Sequence, residues 1–224
     1  MPGTPSEPSV RAVLFDLDGT LIDSAPDLAG AANDLRAHHG LPPLPYAALR
    51  PMVGSGARGM VGAAFGVAPG DPRFIELRDA FLSHYEQRLL QETAVFTAMA
   101  PVLSALADAG LAWGIVTNKA SRYAQPVVLG LGLATRVLVC GDTTPHAKPH
   151  PAPLLEAASQ LGLSASDCVY VGDDLRDIQA GRAAGMAVLA AAWGYLGQGE
   201  PVEAWNADAV LPDPAALLNW LNLA

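Results

Sequence analysis

The chain has 224 residues and a formal net charge of −9, from 13 Lys and Arg against 22 Asp and Glu; 51% of residues are apolar and 16% charged. That length suits one large domain or a core with a smaller insert, and that composition excludes a disordered chain. With no long basic run, the acidic balance argues against a nucleic-acid or anionic-membrane partner, so an anionic substrate needs a local positive site.

The first apolar run, Ala12-Val13-Leu14-Phe15, reads as a buried strand and ends in the acidic turn Asp16-Leu17-Asp18-Gly19-Thr20. Ala25 to His39 has helical spacing, with Pro26 suited to a first turn, and Gly40 to Pro45 breaks it. Ala57 to Phe65 and Pro72 to Leu90 read as further helices, the second with Phe74, Leu77, Phe81, Tyr85 and Leu89 at three- and four-residue intervals. No strand is expected between Leu21 and Thr93, which reads as an all-α insert. From Met99 onward helices and strands alternate. Helices are expected over Ala100–Ala109, from Ser121, around Pro153–Leu161 and up to Arg182; strands over Leu111–Val116, Val137–Cys140, Cys168–Val171 and Met186–Ala190. Continuously apolar strands alternating with helices imply a parallel sheet covered on both faces. The expected fold is therefore α/β, a doubly wound parallel-sheet core over residues 1–21 and 94–224 with an α-helical insert over 22–93.

Cys140 and Cys168 lie in strand-like segments without C-x-x-C spacing and read as small core hydrophobes. Met1 to Ser9 is polar and Pro-rich, unlike a secretory signal, and no apolar stretch reaches the ~20 residues that span a bilayer. A cytoplasmic protein without a membrane or nucleic-acid partner is expected, as a monomer or homodimer.

Functional groups in such sheets gather where strands end. Candidate groups after strand-like runs are Asp16 and Asp18, Thr117 and Asn118, Lys148, and Asp173 and Asp177. Acids packed at the ends of buried strands are costly to desolvate unless a cation sits among them, which suggests a Mg²⁺ site. An acid pair, a hydroxyl, a lysine and a second acid pair suffice for phosphoryl transfer through a carboxylate nucleophile, the hydroxyl and lysine holding the phosphoryl oxygens. Each has a plainer reading. Asp-Gly is a common turn, Thr117 suits a helix cap, Lys148 could be a loop lysine, and Asp177 could pair with Arg176 or Arg182.

Taken in order and spacing, Asp16-Leu17-Asp18-Gly19-Thr20, Thr117, Lys148 and Gly172-Asp173-Asp174-Leu175-Arg176-Asp177 resemble the four motifs of the haloacid dehalogenase superfamily. The helical insert falls where that superfamily places its small C1-type cap. The resemblance implies that Asp16 is the nucleophile and a Mg²⁺ ligand, and that Asp18 is the general acid/base with its backbone carbonyl on the metal. It implies that Thr117 and Lys148 bind the phosphoryl group, that Asp173 binds Mg²⁺ directly, and that Asp177 acts through a metal-bound water. Asp18 itself points to phosphate esters, since a departing halide needs no proton.

Gly54-Ser55-Gly56-Ala57-Arg58, Leu21 to Asp27 and Ala180 to Gly185 resemble the phosphoglycolate phosphatase group. Gly56-Ala57-Arg58, Val116-Thr117-Asn118-Lys119 and the Asp173-Asp174 pair more closely resemble the N-acetylmuramic acid 6-phosphate phosphatases of peptidoglycan recycling. The resemblance implies a small carboxylate-bearing phosphate ester as substrate, bound by Gly54, Ser55, Gly56, Arg58, Asn118, Thr117 and Lys148, with Arg58 reading the carboxylate. Alternatives are 2-phosphoglycolate as substrate, a phosphomutase resembling β-phosphoglucomutase, and a catalytically silent binding protein on the same fold. Asp174 reads as a supporting residue, the five histidines as surface, and Trp193-Gly194-Tyr195 as packing residues.

Overall fold

The structure is a computed structural model that describes residues 10–223; the reading of Met1 to Ser9 lies outside them. Its centre is a six-stranded parallel sheet of β1 (Ala12–Phe15), β4 (Ala112–Val116), β5 (Leu138–Val139), β6 (Cys168–Gly172), β7 (Ala187–Ala191) and β8 (Ala209–Leu211), in the order β5-β4-β1-β6-β7-β8. This is the expected doubly wound α/β architecture.

Both faces of the sheet are covered, which is why its strands read as continuous apolar runs. Val13 and Phe15 point into a cluster with Met99, Val102 and Leu106 of α5 (Met99–Asp108), Val127 of α6 (Ser121–Gly130) and Leu217 of α9 (Ala216–Trp220). Ala12 and Leu14 point the other way, toward Leu154 and Ala157 of α7 (Ala152–Gln160) and Ile178 of α8 (Leu175–Ala184). β1 pairs with β4 on one side and β6 on the other, Phe15 lying opposite both Ile115 and Val171. The chain therefore winds outward in both directions from β1, and the switch in strand order opens a crevice at its carboxyl end.

Between β1 and α5 lie α1 (Ala25–His38), α2 (Tyr46–Leu49), a 3₁₀ turn (Arg50–Ser55), α3 (Gly56–Phe65) and α4 (Phe74–Glu86). They share a third apolar cluster, in which Leu28 and Leu35 of α1 meet Met60 of α3 and Phe74, Leu77, Phe81 and Tyr85 of α4. The expected stripe of α4 is thus its buried face, although the helix ends four residues before Leu90. One correction concerns strands. β2 (Ile22–Asp23) and β3 (Ala94–Val95) pair antiparallel where the two chain crossings meet, a two-residue ladder too short to leave a periodic signature. β8 and α9 were also absent from the sequence reading, being three and five residues long.

The crossings are fastened by Asp27 of α1. Its carboxylate is fully buried and accepts hydrogen bonds from the Glu92 amide (3.0 Å), the Thr93 amide (2.8 Å) and the Thr93 hydroxyl (2.7 Å).

Candidate active site

Asp16 follows β1 directly, and its amide donates to the Val171 carbonyl at 2.9 Å, so the acidic turn starts inside the crevice. Thr117 after β4 and Asp173 after β6 reach the same edge because both strands flank β1. Asp16, Asp173 and Asp177 bring carboxylate oxygens within 4.8 Å of one another. Gly19 has φ +87°, and a Cβ there would lie 2.2 Å from an Asp173 oxygen, so the turn requires glycine. Asp173 is fixed at both oxygens, by the Thr20 hydroxyl at 2.8 Å and the Tyr195 amide at 2.7 Å. Gly194 permits that second contact, since a Cβ there would stand 2.1 Å from the Asp173 side chain.

Lys148 arrives from the loop after β5 and is buried. Its ammonium lies 2.8 Å from Asp16 and 2.7 Å from Asp177, and donates to the Val116 carbonyl (3.0 Å) and the Tyr170 hydroxyl (2.7 Å). Asp177 therefore pairs with Lys148, not with Arg176 or Arg182. It also sets an oxygen in the same cluster as Asp16 and Asp173. Asn118 sets the lysine loop: its side chain accepts from the Lys148 amide and donates to the Lys148 carbonyl, both at 2.9 Å. Its amide group thus positions Lys148, and the residue also lines the cavity described below.

The electrostatics of this cluster follow from burial. Burial, joined by the charges of Asp177 and Asp18, outweighs the downward pull of Lys148 and leaves the Asp16 carboxyl raised to about 7. Asp173 is held well above the ordinary carboxylate range, first by burial and then by the charges of Asp16 and Asp177. Burial alone would depress Lys148, but Asp16 and Asp177 outweigh it and raise the ammonium. Three carboxylates around one ammonium leave surplus negative charge in a poorly solvated place, and their donor atoms are hard oxygens. That set fits a divalent cation of the Mg²⁺ class.

Asp18 points elsewhere. Its carboxylate accepts from the Ser24 hydroxyl, and both of its oxygens accept from the Lys119 ammonium, at 3.0 and 3.1 Å. Burial works against the charge on Lys119, but the charge of Asp18 prevails and holds its pKa above the lysine range. Tyr195 ties the start of α1 to this region. Its hydroxyl accepts from the Ser24 amide (2.8 Å) and the Ala25 amide (3.0 Å) and donates to Asp23 (3.0 Å). Sequence reasoning gave Lys119 no role and Tyr195 only a packing one; both act through partners a hundred or more residues away, which no local spacing signals.

Above the acids lies a cavity of about 370 Å³. Asp16, Asp18, Thr117, Lys119 and Lys148 form its floor, and Leu28, Val53, Phe81, Tyr85 and Tyr123 its apolar wall. Gly54, Ser55 and Gly56 line it, whereas Arg58 is exposed and does not. At 3.6 residues per turn, the single step from Ala57 to Arg58 rotates by about 100° and carries Arg58 away from the face that Ala57 presents to the cavity. The arginine that reaches the lining is Arg176. It chelates Asp174, the N-cap of α8, at 2.8 Å through two nitrogens and also donates to the Gly54 carbonyl, bridging the sheet side to the helices above. Thr117 keeps its hydroxyl proton available, since its oxygen accepts from the Lys119 amide at 3.1 Å.

Residues 13–191 match the family model described as haloacid dehalogenase-like hydrolase. The N-acetylmuramic acid 6-phosphate phosphatase of Pseudomonas aeruginosa is 43% identical over 96% of this chain and 96% of the relative. A phosphoglycolate phosphatase of Xanthomonas campestris pv. campestris is 47% identical over 92% of this chain and 94% of the relative. The crystal structure of a predicted phosphoglycolate phosphatase from Haemophilus somnus 129PT superposes with a TM-score of 0.83 at 28% identity, covering 95% of this chain and 98% of that one.

Proposed function

The chain belongs to the haloacid dehalogenase-like hydrolase family and is a phosphatase within it, and from that premise we propose that it hydrolyses a small carboxylate-bearing phosphomonoester, N-acetylmuramic acid 6-phosphate, in cytoplasmic peptidoglycan recycling. The Asp16 carboxylate attacks phosphorus, the bond from phosphorus to the alcohol oxygen breaks, and Asp18 gives that oxygen a proton. Asp18 then takes a proton from water, whose oxygen attacks the phosphorus of the aspartyl-phosphate; phosphate leaves and Asp16 is restored. Lys148 and the Thr117 hydroxyl hold the phosphoryl oxygens throughout, and Asn118 keeps Lys148 in reach. Asp16, Asp173 and Asp177 would hold Mg²⁺, which when bound offsets the repulsion between the attacking carboxylate and the phosphate. Residues 22–93 serve as a cap over the core of 1–21 and 94–224, hinged near Asp23 and Thr93, and its closure excludes bulk water from the acyl phosphate.

The observation that carries the choice of substrate is the cavity. At about 370 Å³ with an aromatic wall, it falls in the roughly 300–1,000 Å³ range of sites that enclose ligands larger than a two-carbon acid. A sugar ring with its acetamido and lactyl groups fills such a space; 2-phosphoglycolate leaves most of it to water. The 47% identity to the Xanthomonas enzyme favours 2-phosphoglycolate as the second reading. Phosphate release from the two esters side by side, with Mg²⁺ or with EDTA, decides between them. The first reading requires a large kcat/KM preference for the amino-sugar ester and loss of turnover in EDTA; a preference for phosphoglycolate selects the second.

A further inference from the structure

Tyr85 of α4 lines the cavity and is 1% exposed, and its hydroxyl is the buried side-chain polar atom that lacks a hydrogen-bond partner among the described residues. Folded interiors leave few such groups unmatched without a reason. Beside it stands Lys119, whose ammonium lies 4.7 Å from the centre of the Tyr85 ring. An ammonium has three donors, and here two bonds run to the oxygens of Asp18. The other cations of the region are committed differently. Lys148 stands between Asp16 and Asp177 and serves the phosphoryl end of the ester, Arg176 is held by Asp174 and the Gly54 carbonyl, and Arg58 faces solvent.

Lys119 and Tyr85 thus set an ammonium donor and a phenol donor side by side, next to the residue that protonates the departing alcohol. Groups flanking Asp18 meet the alcohol part of the ester, because the phosphoryl part lies over Asp16 and Lys148. Two donors of this kind match an anionic oxygen better than a neutral one, since a charged partner strengthens each bond. We infer that Lys119 and Tyr85 form the subsite that reads the carboxylate of the leaving alcohol, the task the sequence reading gave to Arg58. The subsite is split between α4 and the loop after β4, so it is complete only when the helices stand over the sheet. This inference rests on the reading of Asp18 as the group beside the leaving oxygen.

The test compares two ester pairs that differ in the carboxylate. N-acetylmuramic acid 6-phosphate is set against N-acetylglucosamine 6-phosphate, and 2-phosphoglycolate against ethyl phosphate, for the full-length wild type, Tyr85→Phe and Lys119→Gln with Mg²⁺. The wild type prefers the carboxylate member of at least one pair. Tyr85→Phe lowers that kcat/KM preference about tenfold or more, mainly through KM, with no loss of melting temperature because only an unmatched hydroxyl is removed. Lys119→Gln raises KM for the carboxylate member more than for its partner. A preference confined to the phosphoglycolate pair, and eroded by the substitutions, overturns the amino-sugar substrate while upholding the subsite. A wild type without preference in either pair, or a preference that survives either substitution, overturns the subsite.

Discussion

Tyr195→Phe isolates one hydroxyl that holds the start of the helical segment to the core. The phenol is 3% exposed and caps α1, which has no side-chain cap of its own, by accepting from the Ser24 and Ala25 amides while donating to Asp23. Without it the Ala25 amide keeps a 3.2 Å contact to Asp23, but the Ser24 amide is left buried and unpaired. An unmatched buried donor costs about 1–3 kcal/mol, and the bond lost by Asp23 brings the total to about 2–4 kcal/mol. For a chain of this size each kcal/mol moves the melting temperature by roughly 2–4 °C, so a fall of about 4–16 °C is expected. The assay is thermal unfolding of Mg²⁺-loaded protein, with Tyr85→Phe as the control, since it removes a chemically identical hydroxyl that donates to no acceptor among the described residues. Asp173 keeps its contact to the Tyr195 backbone in the variant, so the loss is one of stability and not of metal affinity. A Tyr195→Phe protein that melts with the wild type, or a Tyr85→Phe protein that melts as low as Tyr195→Phe, refutes this hydrogen-bond accounting.

Asp27→Ala removes the acceptor shared by the Glu92 amide, the Thr93 amide and the Thr93 hydroxyl, and denaturant unfolding should register a loss of about 2–4 kcal/mol; an unchanged midpoint contradicts the fastening role of Asp27. Asn118→Ala releases the Lys148 loop, and kcat is expected to fall by about 10–100-fold with the fold intact by circular dichroism. In metal-free protein the Asp16 carboxyl holds its proton up to about pH 7, whereas the unfolded chain loses it near pH 4. The folded state binds more protons across that window, so stability of the metal-free protein falls as pH rises through it. Mg²⁺ should therefore raise the melting temperature more at pH 8 than at pH 5, and an equal rise at both counts against the assignment.

The parts of this molecule that were legible in the sequence are those whose signal is local. β1 and β6 announce themselves because burial on both faces demands runs such as Ala12–Phe15, and Asp16 and Asp173 stand out because acids end those runs. The periodic stripe of α4 foretold its buried face. What stayed hidden depends on which side of an element faces what, and on partners distant in the chain. Arg58 shares a loop-helix segment with Gly54 and Ser55, yet helical rotation turns it to solvent. Lys119 and Tyr195 owe their roles to Asp18, Ser24 and Asp173, and Tyr85 is distinguished only by what its hydroxyl fails to touch. The pairing of Asp177 with Lys148 needed the position of a loop that no periodicity describes.

The most direct test of the central claim is steady-state phosphate release from N-acetylmuramic acid 6-phosphate by the wild type and by Asp16→Asn, with saturating Mg²⁺ and equal folded protein by circular dichroism. The asparagine cannot form the acyl phosphate, so turnover should fall by about four orders of magnitude or more. Release by Asp16→Asn within tenfold of the wild type would contradict the account of Asp16 as the nucleophile.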